Sequence, residues 1–252
     1  MFGKKKTNPW DVQKTEADIE GETYEAVIIN SIYKYLGYAP LHSVLLKRHK
    51  NDMICAEIDL LLITPAGIMP IECKSRKRND KEAAFVRIGL IRDWAVAPWT
   101  SQGYASEDII QYIPNPWLQN ALHLEFIQKY MNEANLPIKQ YYNVVCVSAE
   151  KLGLCEYGRY ETGDTILLAE DHLIAIGANP GMIMYGDSAI KSFCQWIKES
   201  APVYTQQEVK EITNYFKQFV GTEDDLSLRK QRIMYERSEK DPDYDPWSAW
   251  KD

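Results

Sequence analysis

The stretch Glu57-Ile58-Asp59-Leu60-Leu61-Leu62-Ile63, followed by Gly67-Ile68-Met69-Pro70-Ile71-Glu72-Cys73-Lys74, holds the residue types that could do chemistry. Asp59 stands inside an apolar run, and Glu72 and Lys74 stand two apart on the next one. A carboxylate in such a run is costly to bury unless something pairs it. Two carboxylates and a lysine at one sheet edge can hold a divalent cation and a water beside a phosphate. Cleaving a phosphodiester builds negative charge on the phosphate and the leaving oxygen, and a hard cation offsets that charge and acidifies water. Mg²⁺ prefers oxygen ligands and keeps several waters. Asp59 and Glu72 supply carboxylates, and the backbone carbonyl of Cys73 offers a further ligand. Lys74 can orient the attacking water or offset the developing charge. Glu25, on the first helix, is a candidate to reach the same cation.

The spacing is compatible with that meeting. Side chains alternate along a strand, so Glu72 and Lys74 share a face, and Asp59 shares one with Glu57 and Leu61. A short turn between the runs predicts an antiparallel pair. Asp59 and Glu72, thirteen positions apart, then fall opposite or nearly so. A bland reading competes: an E-x-K pair on a strand is usually a surface salt bridge, and Asp59 would then be satisfied by Lys74. An Asp between bulky apolar residues is less usual on a solvent face, which favours the chemical reading.

The elements that must position these residues are legible in outline. From Asp18 the residues Tyr24, Val27, Ile28, Ile32, Tyr35 and Leu36 recur at helical steps, and Gly37 ends the run. Strands are expected at about 40 to 47, 53 to 63 and 67 to 74, with Thr64-Pro65-Ala66-Gly67 as the turn between the last two. Residues 75 to 114 carry a basic cluster, a strand-like run from Phe85 to Ile91, and Trp94 and Trp99; they predict short strands and a long loop. Asn115-Pro116 reads as an N-cap followed by proline at the first helical position, opening a helix to about Asn132. Strands follow at Tyr141 to Val147 and Thr165 to Ala169, then a helix at about Asp187 to Glu199. Thr205 caps a last helix to about Val220, with Glu208 completing a capping box. Residues 1 to 17 form a polar arm. Residues 221–252 form a polar acidic tail, expected to be flexible or to dock on a partner protein.

The bulk composition bounds the class. The chain has 252 residues, 45% of them hydrophobic and 26% charged, as in an ordinary globular protein with a substantial core. A net charge of −7 excludes a generally basic nucleic-acid coat but leaves room for a local basic groove. Five cysteines without C-x-x-C spacing argue for free thiols in a reducing compartment and against a zinc site. The start Met1-Phe2-Gly3-Lys4-Lys5-Lys6 has no apolar run behind it, unlike a signal peptide. No segment is long enough to span a bilayer. A cytoplasmic location is expected.

In their order, the motifs resemble the nuclease-related domain (NERD) family within the PD-(D/E)XK nuclease superfamily. The matching pieces are Gly21-Glu22-x-x-Glu25, Ile58-Asp59 with Leu-Leu-Ile-Thr, Gly67-Ile68 leading to Ile71-Glu72-Cys73-Lys74, and Asn115-Pro116-x-x-Gln119-Asn120-x-x-His123. The resemblance covers about residues 18 to 220. It implies an α/β fold with a restriction-endonuclease-like core, a mixed sheet flanked by helices. It implies Glu25, Asp59, Glu72 and Lys74 as the active-site set, with Gln119 matching a helical glutamine of related nucleases. Of Glu22 and Glu25, one turn apart, spacing favours Glu25. Residues 75 to 114 are longer and more aromatic than the family pattern needs.

The resemblance further implies a nuclease dependent on Mg²⁺ or Mn²⁺, with DNA ahead of RNA as substrate and no membrane. A role in DNA processing or defence against foreign DNA follows by analogy alone. The alternative is an inactive nucleic-acid-binding or assembly module of the same fold. Arg76, Lys77, Arg78 and Lys81, just after the catalytic strand, are placed for phosphate contacts. Trp94 and Trp99 could stack on unpaired bases, though packing in the core or a loop is the favoured role for both. His123 has the look of a structural residue.

Overall fold

A computed structural model describes residues 16–47, 52, 55–75, 84–88, 94–98, 111–148, 153–156, 165–169, 173–175, 182–185 and 189–240. Its helices are α1 (Glu16–Leu36), α2 (Pro116–Glu133), α3 (Ala189–Glu199), α4 (Gln206–Lys217) and α5 (Glu223–Lys240). Its strands are β1 (Leu41–Leu46), β2 (Ala56–Thr64), β3 (Gly67–Ser75), β4 (Ala84–Ile88), β5 (Trp94–Pro98), β6 (Gln111–Ile113), β7 (Asn143–Ser148), β8 (Gly153–Glu156), β9 (Thr165–Ala169), β10 (Leu173–Ala175) and β11 (Met182–Tyr185).

Six strands form one sheet in the order β1-β2-β3-β7-β9-β11. β1, β2 and β3 are antiparallel, whereas β3, β7, β9 and β11 run parallel. This is the mixed sheet flanked by helices that the motifs imply. One face buries Leu60, Leu62, Met69, Ile71 and Val144 against Ile28 and Ile32 of α1 and Phe193 and Ile197 of α3. The other buries Leu61, Ile63 and Ile68 against Ile127 and Met131 of α2 and Ile212 and Phe216 of α4.

The local signals act as their chemistry dictates. Gly37, at φ +83°, closes α1 with its N–H on the Tyr33 carbonyl at 2.8 Å. Asn115 caps α2 by accepting from the Trp117 N–H at 2.9 Å. Thr205 and Glu208 cap α4 reciprocally. Thr64 Oγ1 organises the β2–β3 turn, accepting from the Ala66 and Gly67 N–H groups and donating to the Gly67 carbonyl. Gly67 is required there, because a Cβ would lie 2.9 Å from the Tyr142 ring.

One feature differs from the sequence reading and two go beyond it. Val27, placed on the apolar stripe of α1, is 48% exposed. The expected short strands β4, β5 and β6 belong to a second sheet, in the order β10-β8-β4-β5-β6. Its parallel partners β8 and β10 are only four and three residues long, too short to show a period. Within the stretch read as a tail, residues 223–240 are helical. α5 opens on its own reciprocal cap: Thr222 N–H donates to Asp225 Oδ2 at 3.0 Å and Asp225 N–H to Thr222 Oγ1 at 3.2 Å. Ahead of it, Leu45 N–H donates to the Phe219 carbonyl and Gly221 N–H to the Ser43 carbonyl, so residues 219–221 line the outer edge of β1.

Strict alternation fails at one place in the β1–β2 pair. Leu41 and Val44 lie towards α2 and α4, as do Ile58 and Leu61, each pair three residues apart. Regular strands would put such pairs on opposite faces. The phase slips where Ser43, buried and at φ +51°, faces the position of Asp59. A non-glycine residue held there stores backbone strain, and such strain clusters at functional sites.

Candidate active site

The β2–β3 ladder ends outward at Leu60↔Ile71. One step beyond, Asp59 Oδ2 accepts the Cys73 N–H at 2.8 Å, so a side chain replaces the backbone partner. The phase slip thus turns Asp59 towards β3. Glu72 and Lys74 point to the α2 side, where Lys74 Nζ donates to Glu72 Oε1 and, at 3.3 Å, to Gln119 Oε1. Glu72 is 1% exposed, and its Oε2 has no hydrogen-bond partner among the described residues.

Glu25 approaches from the opposite face. Its Oε2 pairs with His42 Nε2 of β1 at 2.7 Å. Its charge contributes to the electrostatic environment of both Asp59 and Glu72. Asp59, Glu72, Lys74 and Gln119 therefore lie together at one end of the sheet, with Glu25 near it on the α1 face. Arg76, Lys77, Arg78 and Lys81 lie outside the described residues, as does Trp99.

Burial first, then the Glu72 and Glu25 charges, push Asp59 well above the usual carboxylate range. Burial also raises Glu72, outweighing the pull of Lys74. Burial alone would lower Lys74, but the Glu72 and Asp59 charges outweigh it and hold the ammonium protonated. Hydrogen bonding to Glu25 raises His42. Burial, with Lys74 and Arg229 nearby, lowers His123 to about 4, so this ring is neutral at ordinary pH.

Asn120 was read from sequence only as a motif residue, and its task emerges from the fold. Fully buried, its Nδ2 lies 2.8 Å from the Pro70 carbonyl, 2.9 Å from the Val144 carbonyl and 3.1 Å from Asn143 Oδ1. It ties α2 to β3 and β7, and so sets the distance from Gln119 to Lys74. Asn120 Oδ1 meets His123 Nδ1 at 3.3 Å, and since that oxygen only accepts, the neutral ring carries its proton on Nδ1. His123 Nδ1 is 3.8 Å from Glu72 Oε2. His42 was missed; a histidine inside the apolar strand Leu41–Leu46 was the available signal.

The donors fit a hard cation. Asp59, Glu72 and the Cys73 carbonyl would all offer oxygen, and Glu72 Oε2 is a buried acceptor with no hydrogen bond among the described residues. Mg²⁺ is commonly held by one or two carboxylates rather than a full protein cage. Among the described residues no group of three or more His, Cys, Asp or Glu is placed to hold a metal ion by itself. No helix among them is long and apolar enough to cross a membrane.

Set against known proteins, residues 19–148, just over half of the chain, match the family model of the nuclease-related domain, NERD. Neither the curated proteins nor the solved structures gave a match.

Proposed function

The chain belongs to the nuclease-related domain family, and from that premise we propose that it is a metal-dependent nuclease that hydrolyses phosphodiester bonds, with DNA ahead of RNA as substrate. One observation carries the reading most: a cationic lysine and two carboxylates of raised pKa converge, and one carboxylate oxygen is buried without a hydrogen-bond partner among the described residues. Strongly perturbed groups gathered in one place mark functional sites. Asp59, Glu72 and the Cys73 carbonyl would hold Mg²⁺ or Mn²⁺. When bound, the cation supplies Lewis-acid charge beside the phosphate and makes water more acidic.

The side chains divide the remaining work. Lys74 offers its ammonium to the attacking water and to the charge that develops on the phosphate. Gln119 holds that ammonium on the α2 side. Glu25, hydrogen-bonded to His42, supplies a further acceptor from α1 for ordering water.

The test compares wild type with Asp59→Ala and Lys74→Ala on single-stranded, duplex and branched DNA and on RNA. Wild type should cleave with Mg²⁺ or Mn²⁺ and stop with EDTA. Each variant should lose about 10²–10³-fold in rate, the loss common for removing one group that stabilises transition-state charge. Equal rates in all three proteins would sink the reading.

A further inference from the structure

Glu57 lies two residues outward from Asp59 on β2, about 6.5 Å along the strand. Its charge is felt at Glu72. Arg229 of α5 reaches it, with Nη1 3.0 Å from Glu57 Oε2 and Nε donating to the Cys55 carbonyl at 2.8 Å. The same guanidinium acts on His123 of α2, which stands beside Glu72. Arg229 therefore sits at the rim of the site, between the start of β2 and α2, and is 23% exposed.

The rim needs a cation. Glu25, Glu57, Asp59 and Glu72 gather there with Lys74, which is already engaged by Glu72 and Gln119. A polyanion entering that field is repelled unless something offsets it. A guanidinium has five N–H donors in a fork that matches two phosphate oxygens; the bond to Cys55 uses one of them, and Nη1 forms an ion pair with Glu57.

We propose that Arg229 is a substrate-binding residue that grips a phosphate of the bound strand beside the one to be cut. This rests on the nuclease reading above. Residue 229 lies outside the matched span 19–148, so the C-terminal part of the chain completes the substrate surface. Glu57 holds the guanidinium in place and competes with the phosphate for it.

That competition gives the test. In a Glu72→Gln chain, disabled for cleavage, fluorescein-labelled single-stranded and duplex DNA would be titrated by anisotropy at several salt concentrations. Arg229→Gln should weaken binding about tenfold and lower the slope of log affinity against log salt by about 0.7–0.9, one phosphate contact. Arg229→Lys should keep the slope, including where the Gln variant melts early. Glu57→Gln should tighten binding. If Arg229→Gln and Glu57→Gln weaken binding alike with the slope unchanged, the pair is only a brace and the proposal falls. Unchanged affinity in Arg229→Gln also overturns it while leaving the nuclease reading intact. If the Glu72→Gln chain binds neither DNA nor RNA, the nuclease reading fails first and takes this inference with it.

Discussion

At its closed end the β2–β3 hairpin satisfies its buried polar groups; at its open end it accumulates groups that the fold penalises. Thr64 Oγ1 serves two N–H groups and one carbonyl in the turn. The Pro65 carbonyl accepts from the N–H groups of both Val203 and Tyr204, anchoring the turn to the segment before α4. A few residues along the same strands, Asp59 and Glu72 are held at raised pKa, and Glu72 Oε2 has no hydrogen-bond partner among the described residues. One end supplies rigidity, and the other spends some of it. Departures from local consistency are expected where a protein works rather than where it only folds.

The sharpest way to break this contrast is Asp59→Asn, which can still accept the Cys73 N–H. Cleavage should fall about 10²–10³-fold, while stability should move the other way. A carboxyl with a raised native pKa leaves the native chain holding more protons than the unfolded chain above the usual carboxylate range. Stability then falls as pH rises through that window. Urea melts in EDTA from about pH 4 to pH 8 should show a smaller fall for Asp59→Asn than for wild type. An equal fall would mean that the open end carries no such cost.

His123 gives the next effect, with opposite sign. Its native value of about 4 lies below the ordinary 6.5. The unfolded chain then binds the proton more readily between those values, and stability drops as pH falls through them. The full drop is about 3 kcal/mol for a shift of that size. His123→Gln should remove it, as read by the acid limb of the same melts. The smallest effect belongs to the closed end. Thr64→Val deprives two buried N–H groups of their acceptor and should cost about 1–3 kcal/mol. The denaturant midpoint should fall while kcat of the folded protein holds. A fall in kcat would show that the two ends are mechanically coupled.

Much of the candidate site was legible because its residues announce themselves locally. Asp59 interrupts an apolar run, Glu72 and Lys74 sit at strand spacing, and Gln119 follows a proline-marked helix start. The bonding of Asn120 could not be read, since its partners are backbone carbonyls on two strands that only the tertiary fold brings near. The slip at Ser43 was hidden for a similar reason: no glycine marks the positive φ. The second sheet depends on parallel pairing between short segments far apart in sequence, which leaves no periodic trace. α5 had a readable sign in Thr222-x-x-Asp225, masked by a charge-rich sequence that reads as a tail.

The short segment 219–221 has a consequence beyond the chemistry. β1 is the outermost strand on its side of the sheet, and unpaired edges invite other chains to add to them. The bonds from Phe219 and Gly221 cap the middle of that edge, and a Cβ at Gly221 would strike the Leu45 side chain at 2.8 Å. The stretch matching the family ends at 148, yet its outer strand is sealed by residues some seventy positions later. A fragment trimmed to the family boundary would leave that stretch of edge open to pairing with another chain.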